Sequence, residues 1–262
     1  MECSQRNIIM IRKIKKKIYI KFFKEYHKNP TSIPPINYSD IDSDEKKVID
    51  EVSEFTLTNR ERIVSLIRAI KHVETNNIQG DIVECGVWKG GSMMAALKTL
   101  KKLKSFKRHV YLYDTFEGMS KPTDLDKSIR GESATDAYLK KDEVWNKIEC
   151  FSTLDEVKSN ISKISYPENN IHYIKGKVED TIPNDKIPEK IAILRLDTDW
   201  YESTLHEMEY LFPKLVKGGI IIIDDYGHWQ GCKQAIDEYV QKNKVELFLQ
   251  RIDYTCRMAV KI

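Results

Sequence analysis

Two stretches, Ile191-Ala-Ile-Leu-Arg-Leu-Asp197-Thr-Asp199 and Gly218-Gly-Ile-Ile-Ile-Ile-Asp224-Asp225-Tyr226, decide how this chain folds. Each is an apolar run that stops abruptly on carboxylates. Continuous runs of branched apolar residues fit strands buried on both faces, as in a parallel sheet. Between them, Glu202 to Val216 carries Leu205, Met208, Leu211, Phe212 and Leu215 at helical spacing and stops at Lys217-Gly218-Gly219. Strand, helix, strand makes one parallel crossover unit. As neighbours the strands lie about 5 Å apart, which gathers Asp197, Asp224 and Asp225 at their carboxyl ends. That edge is where open parallel sheets bind ligands. Crowded carboxylates raise one another's pKa unless a cation is present, and an all-oxygen set suits a hard divalent ion such as Mg2+. A single Asp at a strand end more often caps the next helix; it is the two clusters together that point to a site.

Upstream of this unit, Thr58-Asn-Arg-Glu61 has the spacing of a capping box. The helix it opens places Ile63, Leu66, Ile67, Ile70 and Val73 on one stripe and runs to about Asn76. Asp81-Ile-Val-Glu84-Cys-Gly86 reads as the first strand, with Gly90-Gly91-Ser92 opening the next helix. His109 to Asp114 is the second strand, again ending on a carboxylate, and Ile171 to Gly176 the third. Val245 to Gln250 and Arg257 to Ile262 form a closing hairpin at the sheet edge. Met119 to Cys150, charged and poor in aliphatic residues, is a long insertion just after Asp114, where a lid over the ligand edge belongs.

The 262 residues, 41% of them apolar, suffice for one large α/β domain with an N-terminal extension. We divide the chain into residues 1–50, a basic helix and linker, and residues 51–262, the α/β domain. Net charge is +3, unevenly placed: nine Lys/Arg stand against two Glu up to Lys28, a surplus of seven that leaves the remainder at −4. The chain is therefore no uniformly basic nucleic-acid binder. Ile8 to Lys28 can be drawn as an amphipathic helix, with Ile8, Ile11, Ile14, Ile18 and Phe22 opposite Lys13, Lys17, Lys21, Lys24 and Lys28. That face permits weak contact with a membrane surface, although packing on the domain or on a second copy in a homo-oligomer is favoured. Asn29 to Asp44, with Pro30, Pro34 and Pro35, is a linker. The five cysteines are dispersed, with neither zinc spacing nor a disulfide framework, which fits a reducing cytoplasm. No apolar run approaches the ~20 residues of a membrane span.

The turn from Glu84 through Gly86 to Ser92 lets a ligand approach the backbone closely. Its glycines are not spaced as GxGxxG, and no phosphate-loop GKS/T occurs. Asp114 is placed to accept hydrogen bonds from ribose hydroxyls, and Glu84 to hold a cationic amine. A ligand with a ribose and an ammonium but no pyrophosphate is better described by S-adenosylmethionine than by NAD.

On these residues the chain resembles the macrocin O-methyltransferase (TylF-like) family of S-adenosylmethionine-dependent sugar methyltransferases. The motifs that carry the resemblance are Phe55 to Ile63, Gly80 to Ser92, Tyr113-Asp-Thr-Phe-Glu-Gly118, Leu194-Arg-Leu-Asp-Thr-Asp-Trp-Tyr-Glu-Ser-Thr204 and Pro213 through Asp224-Asp-Tyr-Gly227. They run from about residue 50 to the end, leaving the first fifty residues outside the resemblance. The resemblance implies a class I methyltransferase (Rossmann-like) fold, a seven-stranded, mostly parallel sheet with helices on both faces. It implies that Asp197, Asp224 and Asp225 hold Mg2+ and that Asp199 is the general base, with His228 a second candidate. It further implies cofactor contacts from Glu84, Gly86, Ser92, Asp114, Thr115, Phe116 and Asp197. Thr56 and Leu57 would close over the cofactor, with Gly176 and Val178 near its adenine. Thr198 departs from the glycine that family members often carry there.

Methyl transfer needs an oxygen nucleophile in line with the sulfonium methyl. A sugar hydroxyl is a weak nucleophile at neutral pH, so a chelating metal and a nearby base both help. The acceptor is read as a small molecule or saccharide. Asp197-x-Asp199 also matches the metal–diphosphate pair of glycosyltransferases, but that class does not need the Glu84–Ser92 turn with Asp114. A metal-dependent methyltransferase of catechol-like acceptors is the nearer rival. A non-catalytic binding module would have lost metal or cofactor residues, and a nucleic-acid base methyltransferase would carry an Asn/Asp-Pro-Pro-Tyr/Phe motif; neither reading matches the sequence.

Overall fold

The computed structural model describes residues 39–262, apart from 142–144, 146–148 and 185–186. It divides into two units, Met1–Asp42 and Ser43–Ile262. The second unit carries the sheet and starts eight residues ahead of the expected boundary. The N-terminal helix expected over Ile8 to Lys28, and the linker up to residue 38, lie outside the described residues.

The described order is α1 (Ser43–Val52), α2 (Arg60–Thr75), β1 (Asp81–Cys85), α3 (Gly91–Lys102), β2 (Val110–Asp114), α4 (Ala134–Lys140) and α5 (Leu154–Ser162). It continues with β3 (Ile171–Lys175), α6 (Val178–Thr181), β4 (Ile191–Leu196), α7 (Tyr201–Tyr210), β5 (Leu215–Ile223), α8 (Gln230–Asn243), β6 (Gln250–Arg251) and β7 (Arg257–Val260). The seven strands form one sheet in the order β3-β2-β1-β4-β5-β7-β6. All pairs are parallel except those made by β7, which runs antiparallel to β5 and β6. The chain steps outward from β1 in one direction and from β4 in the other. The crevice between those two neighbours is therefore the topological switch point.

Alternation along the strands sorts the two faces. Val83, Cys85, Leu194, Leu196, Ile221 and Ile223 join one core cluster with Met208 of α7 and Ile236 of α8. Glu84 and Arg195 are register partners on β1 and β4, and Ile222 is the partner of Arg195 on β5. These three share the opposite face.

Local chemistry moves three expected boundaries. Helix α2 starts at Arg60, because Asn59 supplies the cap: its side chain accepts the Arg62 N–H at 3.0 Å. Thr58, expected to cap, instead accepts a hydrogen bond from Arg195 at 3.0 Å. Helix α7 ends at Tyr210 and gives way to a 3-10 turn over Phe212–Lys214, since Pro213 brings no N–H to a helix interior. Leu215 then already pairs with Ile191, so β5 begins before the glycines rather than at them. The closing hairpin forms, but its first strand is only Gln250–Arg251.

The 119–150 segment is more than a charged surface excursion. Ala134, Ala137 and Trp145 are buried in the core. Trp200 at the N-cap of α7 offers no side-chain cap. The missing acceptor comes from the insertion: fully buried Asp126 takes the Tyr201 N–H at 2.8 Å on one oxygen and the Thr123 N–H at 2.7 Å on the other. The Trp200 indole N–H donates to the Ser120 carbonyl at 3.0 Å, and the Ile129 N–H to the His228 carbonyl at 2.8 Å.

Candidate active site

A cavity of about 280 Å3 opens at the carboxyl edge of the sheet, over the β1/β4 crevice. One end is built by the turn after β1. Gly86 has φ +85° there, and a β-carbon on it would collide with the Asp197 carbonyl, so only glycine lets the two loops approach. The turn is held from β2: Asp114 accepts the Val87 N–H at 2.6 Å and the Trp88 N–H at 3.1 Å on one oxygen, and the Phe116 N–H at 2.7 Å on the other. Thr56, Leu57, Ser92, Thr115, Gly176 and Val178 line the same cavity, along with Gly86 and Asp114. Leu57 leaves 66% of its surface exposed on the covering segment.

Two of the residues expected to contact the cofactor do not line this cavity. Phe116 is buried at 2% exposure and does not line the cavity. Glu84, expected to hold a cationic amine, is fully buried and accepts from Arg195 at 2.8 Å. Burial, helped by Asp197 and Asp224 and opposed by Arg195, pushes the Glu84 carboxyl up to about 8. The physical reason for the relocation is that a guanidinium on the neighbouring strand already supplies the cation.

The other end of the cavity is a carboxylate cluster. Asp197, Asp199 and Asp225 each present an oxygen such that all three lie within 4.8 Å of one another. Burial raises the Asp199 carboxyl to about 7, with Asp197 and Asp224 adding to the shift and a bond with Asp225 opposing it. Removal from bulk water and the repulsion of neighbours raise Asp197 and Asp225 as well. One buried oxygen of Asp225 has no hydrogen-bond partner. Asp199 holds φ +66°, a left-handed conformation uncommon for a non-glycine residue and typical of functional loops. Three convergent carboxylates, one with an unsatisfied oxygen, fit a hard divalent cation.

Asp224, expected with Asp197 and Asp225 to hold the ion, lines the same cavity but is not part of this trio. Its carboxylate accepts from Arg195 at 2.6 Å and from Arg62. Arg195 also donates to Asp197 at 2.6 Å. Arg62 reaches across to Asp253 at 2.7 Å. These two arginines are the functional residues that motif reading passed over. The signal for Arg195 was plain: a charged residue inside an apolar, doubly buried strand must find partners.

His228 lines the cavity, with Nδ1 3.1 Å from the Tyr254 hydroxyl. Partial burial lowers its pKa, and Arg130 and Arg62 push the same way against Glu132. The imidazole is therefore neutral at pH 7. Trp229, stacked edge-on against Trp200 and His228, adds an aromatic face. His206 is set apart, with Nε2 2.7 Å from the Ile182 carbonyl.

The strand order and the glycine turn define the protein as a class I methyltransferase, a fold shared with the O-methyltransferase NovP, whose structure superposes with a TM-score of 0.68. That match has 29% identity and covers 79% of this chain and 82% of the other. The family model of macrocin-O-methyltransferase (TylF) matches residues 5–260, and the chain belongs to that family. The match extends through most of the first fifty residues, which the motif resemblance had left out. The demethyldecarbamoylnovobiocin O-methyltransferase of Streptomyces niveus is 30% identical over 198 residues, 76% of this chain and 72% of that protein. The 8-demethyl-8-(2,3-dimethoxy-alpha-L-rhamnosyl)-tetracenomycin-C 4'-O-methyltransferase of Streptomyces olivaceus is 29% identical over 201 residues, 76% and 73% of the respective chains. The protein is an S-adenosylmethionine-dependent O-methyltransferase.

The role of Asp114 leads to a direct expectation. Asp114→Ala removes the acceptor for the Val87 and Trp88 N–H groups of the turn and for the Phe116 N–H after β2, and cofactor affinity falls by roughly 10²-fold, the worth of one or two charge-assisted bonds. Calorimetric titration with S-adenosylhomocysteine measures this; an unchanged Kd rules Asp114 out as the organiser of that end.

Proposed function

We propose that this enzyme methylates a sugar hydroxyl and uses Mg2+ to do so. The observation that carries the reading is one cavity with two chemically distinct ends, the Asp114-braced glycine turn and the Asp197/Asp199/Asp225 cluster. A relative whose name specifies a rhamnosyl acceptor supports the sugar class. When bound, S-adenosylmethionine supplies an electrophilic methyl, and Mg2+ supplies a positive centre that orients a hydroxyl and lowers its pKa.

The chain's own residues do the rest. Asp114 and the turn fix the ribose end, and the Thr56–Thr58 segment covers it. Asp197, Asp199 and Asp225 would hold the ion. Asp199, beside the ion, would take the proton of the attacking hydroxyl. His228 and Trp229 face the acceptor, the first as a neutral hydrogen-bonding group and the second as an apolar wall that suits a sugar ring. The described cysteines are free, which agrees with a cytoplasmic enzyme. We read it as a homo-oligomer, with the basic N-terminal helix serving assembly or a membrane surface.

The test is formation of S-adenosylhomocysteine from a panel of nucleotide sugars, glycosylated small molecules and catechols, with Mg2+ and with EDTA. The expected result is turnover of a sugar diol that EDTA abolishes and added Mg2+ restores. Turnover that survives EDTA removes the metal, and preference for a catechol removes the sugar.

A further inference from the structure

Arg195 is bonded to both ends of the cavity at once. Its guanidinium is 2% exposed. One terminal nitrogen donates to Glu84 at 2.8 Å and Asp197 at 2.6 Å, the other to Asp224 at 2.6 Å and Thr58 at 3.0 Å. Glu84 lies on β1 just ahead of the glycine turn. Thr58 ends the covering segment, where its N–H turns back onto the Thr56 hydroxyl at 3.0 Å. Arg62, in the first turn of α2, ties the helix that follows the segment to Asp224. The cover thus hangs from the carboxylate end through Arg195, with the helix behind it held there by Arg62.

A guanidinium that donates to both Asp197 and Asp224 is well neutralised, and its bond to a neutral hydroxyl is correspondingly weak. A cation that draws on Asp197 withdraws one of those negative charges. The guanidinium then donates more strongly to Thr58, since hydrogen bonds from a less neutralised charge are stronger. We propose that Arg195 couples the two ends, so that a divalent cation on the carboxylate cluster tightens the cover and raises cofactor affinity. Bound cofactor raises cation affinity by the same factor, as linkage requires. The inference rests on the reading above that both groups bind in this cavity.

The test is calorimetric titration with S-adenosylhomocysteine, whose neutral sulfur removes direct charge repulsion, in Mg2+ and in EDTA. Mn2+ binding is followed in parallel by its paramagnetic resonance signal. The wild-type chain is expected to bind S-adenosylhomocysteine at least roughly five-fold tighter with the ion. Thr58→Val removes the hydroxyl without touching a charge, and its ion effect should shrink below about two-fold. Arg195→Lys keeps the charge, loses the two-nitrogen fork and should lose the coupling likewise. A wild-type chain that binds Mn2+ yet shows equal cofactor affinity in both buffers overturns the coupling and leaves the metal reading intact. A Thr58→Val variant that retains the full ion effect overturns the Arg195–Thr58 route. A Mn2+ signal that stays that of the free ion when protein is added overturns the metal reading itself.

Discussion

Asp199→Asn is expected to lower turnover by about 10²–10⁴-fold, the usual worth of a positioned base, while S-adenosylhomocysteine binds within a few-fold of wild type. The amide side chain would retain the size and much of the hydrogen bonding of the aspartate, but it has no basic carboxylate and is a poorer ligand for a hard ion. The residue sits in a left-handed conformation that asparagine tolerates better than most side chains, so the loop should survive the exchange. The cofactor end is held from β1 and β2 by Asp114, not by Asp199, which is why binding and chemistry should separate. Measuring the S-adenosylhomocysteine Kd and the single-turnover rate on one preparation checks both halves. Full turnover in Asp199→Asn would hand the proton to His228, and His228→Gln would then show the loss.

Arg195→Ala is expected to be the most destabilising single change in the site. It leaves Glu84 and Asp224 buried and Asp197 half-shielded, with one cation fewer between them. Breaking a buried ion pair by removing one partner costs about 3–5 kcal/mol. At about 2–4 °C per kcal/mol for a domain of this size, the melting temperature drops by roughly 6–20 °C. The sign of the pH dependence follows from Glu84, whose carboxyl in the fold is raised to about 8. A group that binds its proton more tightly folded than unfolded favours the fold at low pH and loses that contribution as pH rises through the folded value. Without Arg195 to oppose burial, Glu84 is raised further, so the variant should lose more stability between pH 6 and 9 than wild type. Thermal melts at both ends of that range decide it; parallel pH profiles would show that Glu84 is ionised in both proteins.

Most of the fold could be read from the chain because its strands are unambiguous. Ile191–Leu196 and Ile220–Ile223 are buried on both faces and show it by continuous apolar composition. The carboxylates that follow mark the carboxyl edge, and Gly86 marks where two loops nearly touch. What escaped reading was decided by partners distant in sequence. Thr58 has the spacing of a cap, yet Arg195 claims its hydroxyl and Asn59 caps instead. Asp224 has the address of a metal ligand, but two arginines claim its oxygens. Glu84 looked free to hold an amine only while its register partner on β4 was unknown. Trp145 sits in a stretch poor in aliphatic residues, and one aromatic ring filled the core place that several aliphatics would otherwise have announced.

The hydrogen bond from the Tyr201 amide to Asp126 has a consequence for how such proteins can diverge. Helix α7 begins two residues after Asp199 and has no cap of its own; the acceptor it needs is encoded 75 positions earlier, inside the segment after β2. That segment therefore cannot be lost, shortened through Asp126 or exchanged wholesale without leaving the helix start bare beside the reactive loop. Its tip can vary while its anchor cannot. The two regions are separate in the gene but inherit as one part, and new acceptor preferences would have to arise around that fixed stitch.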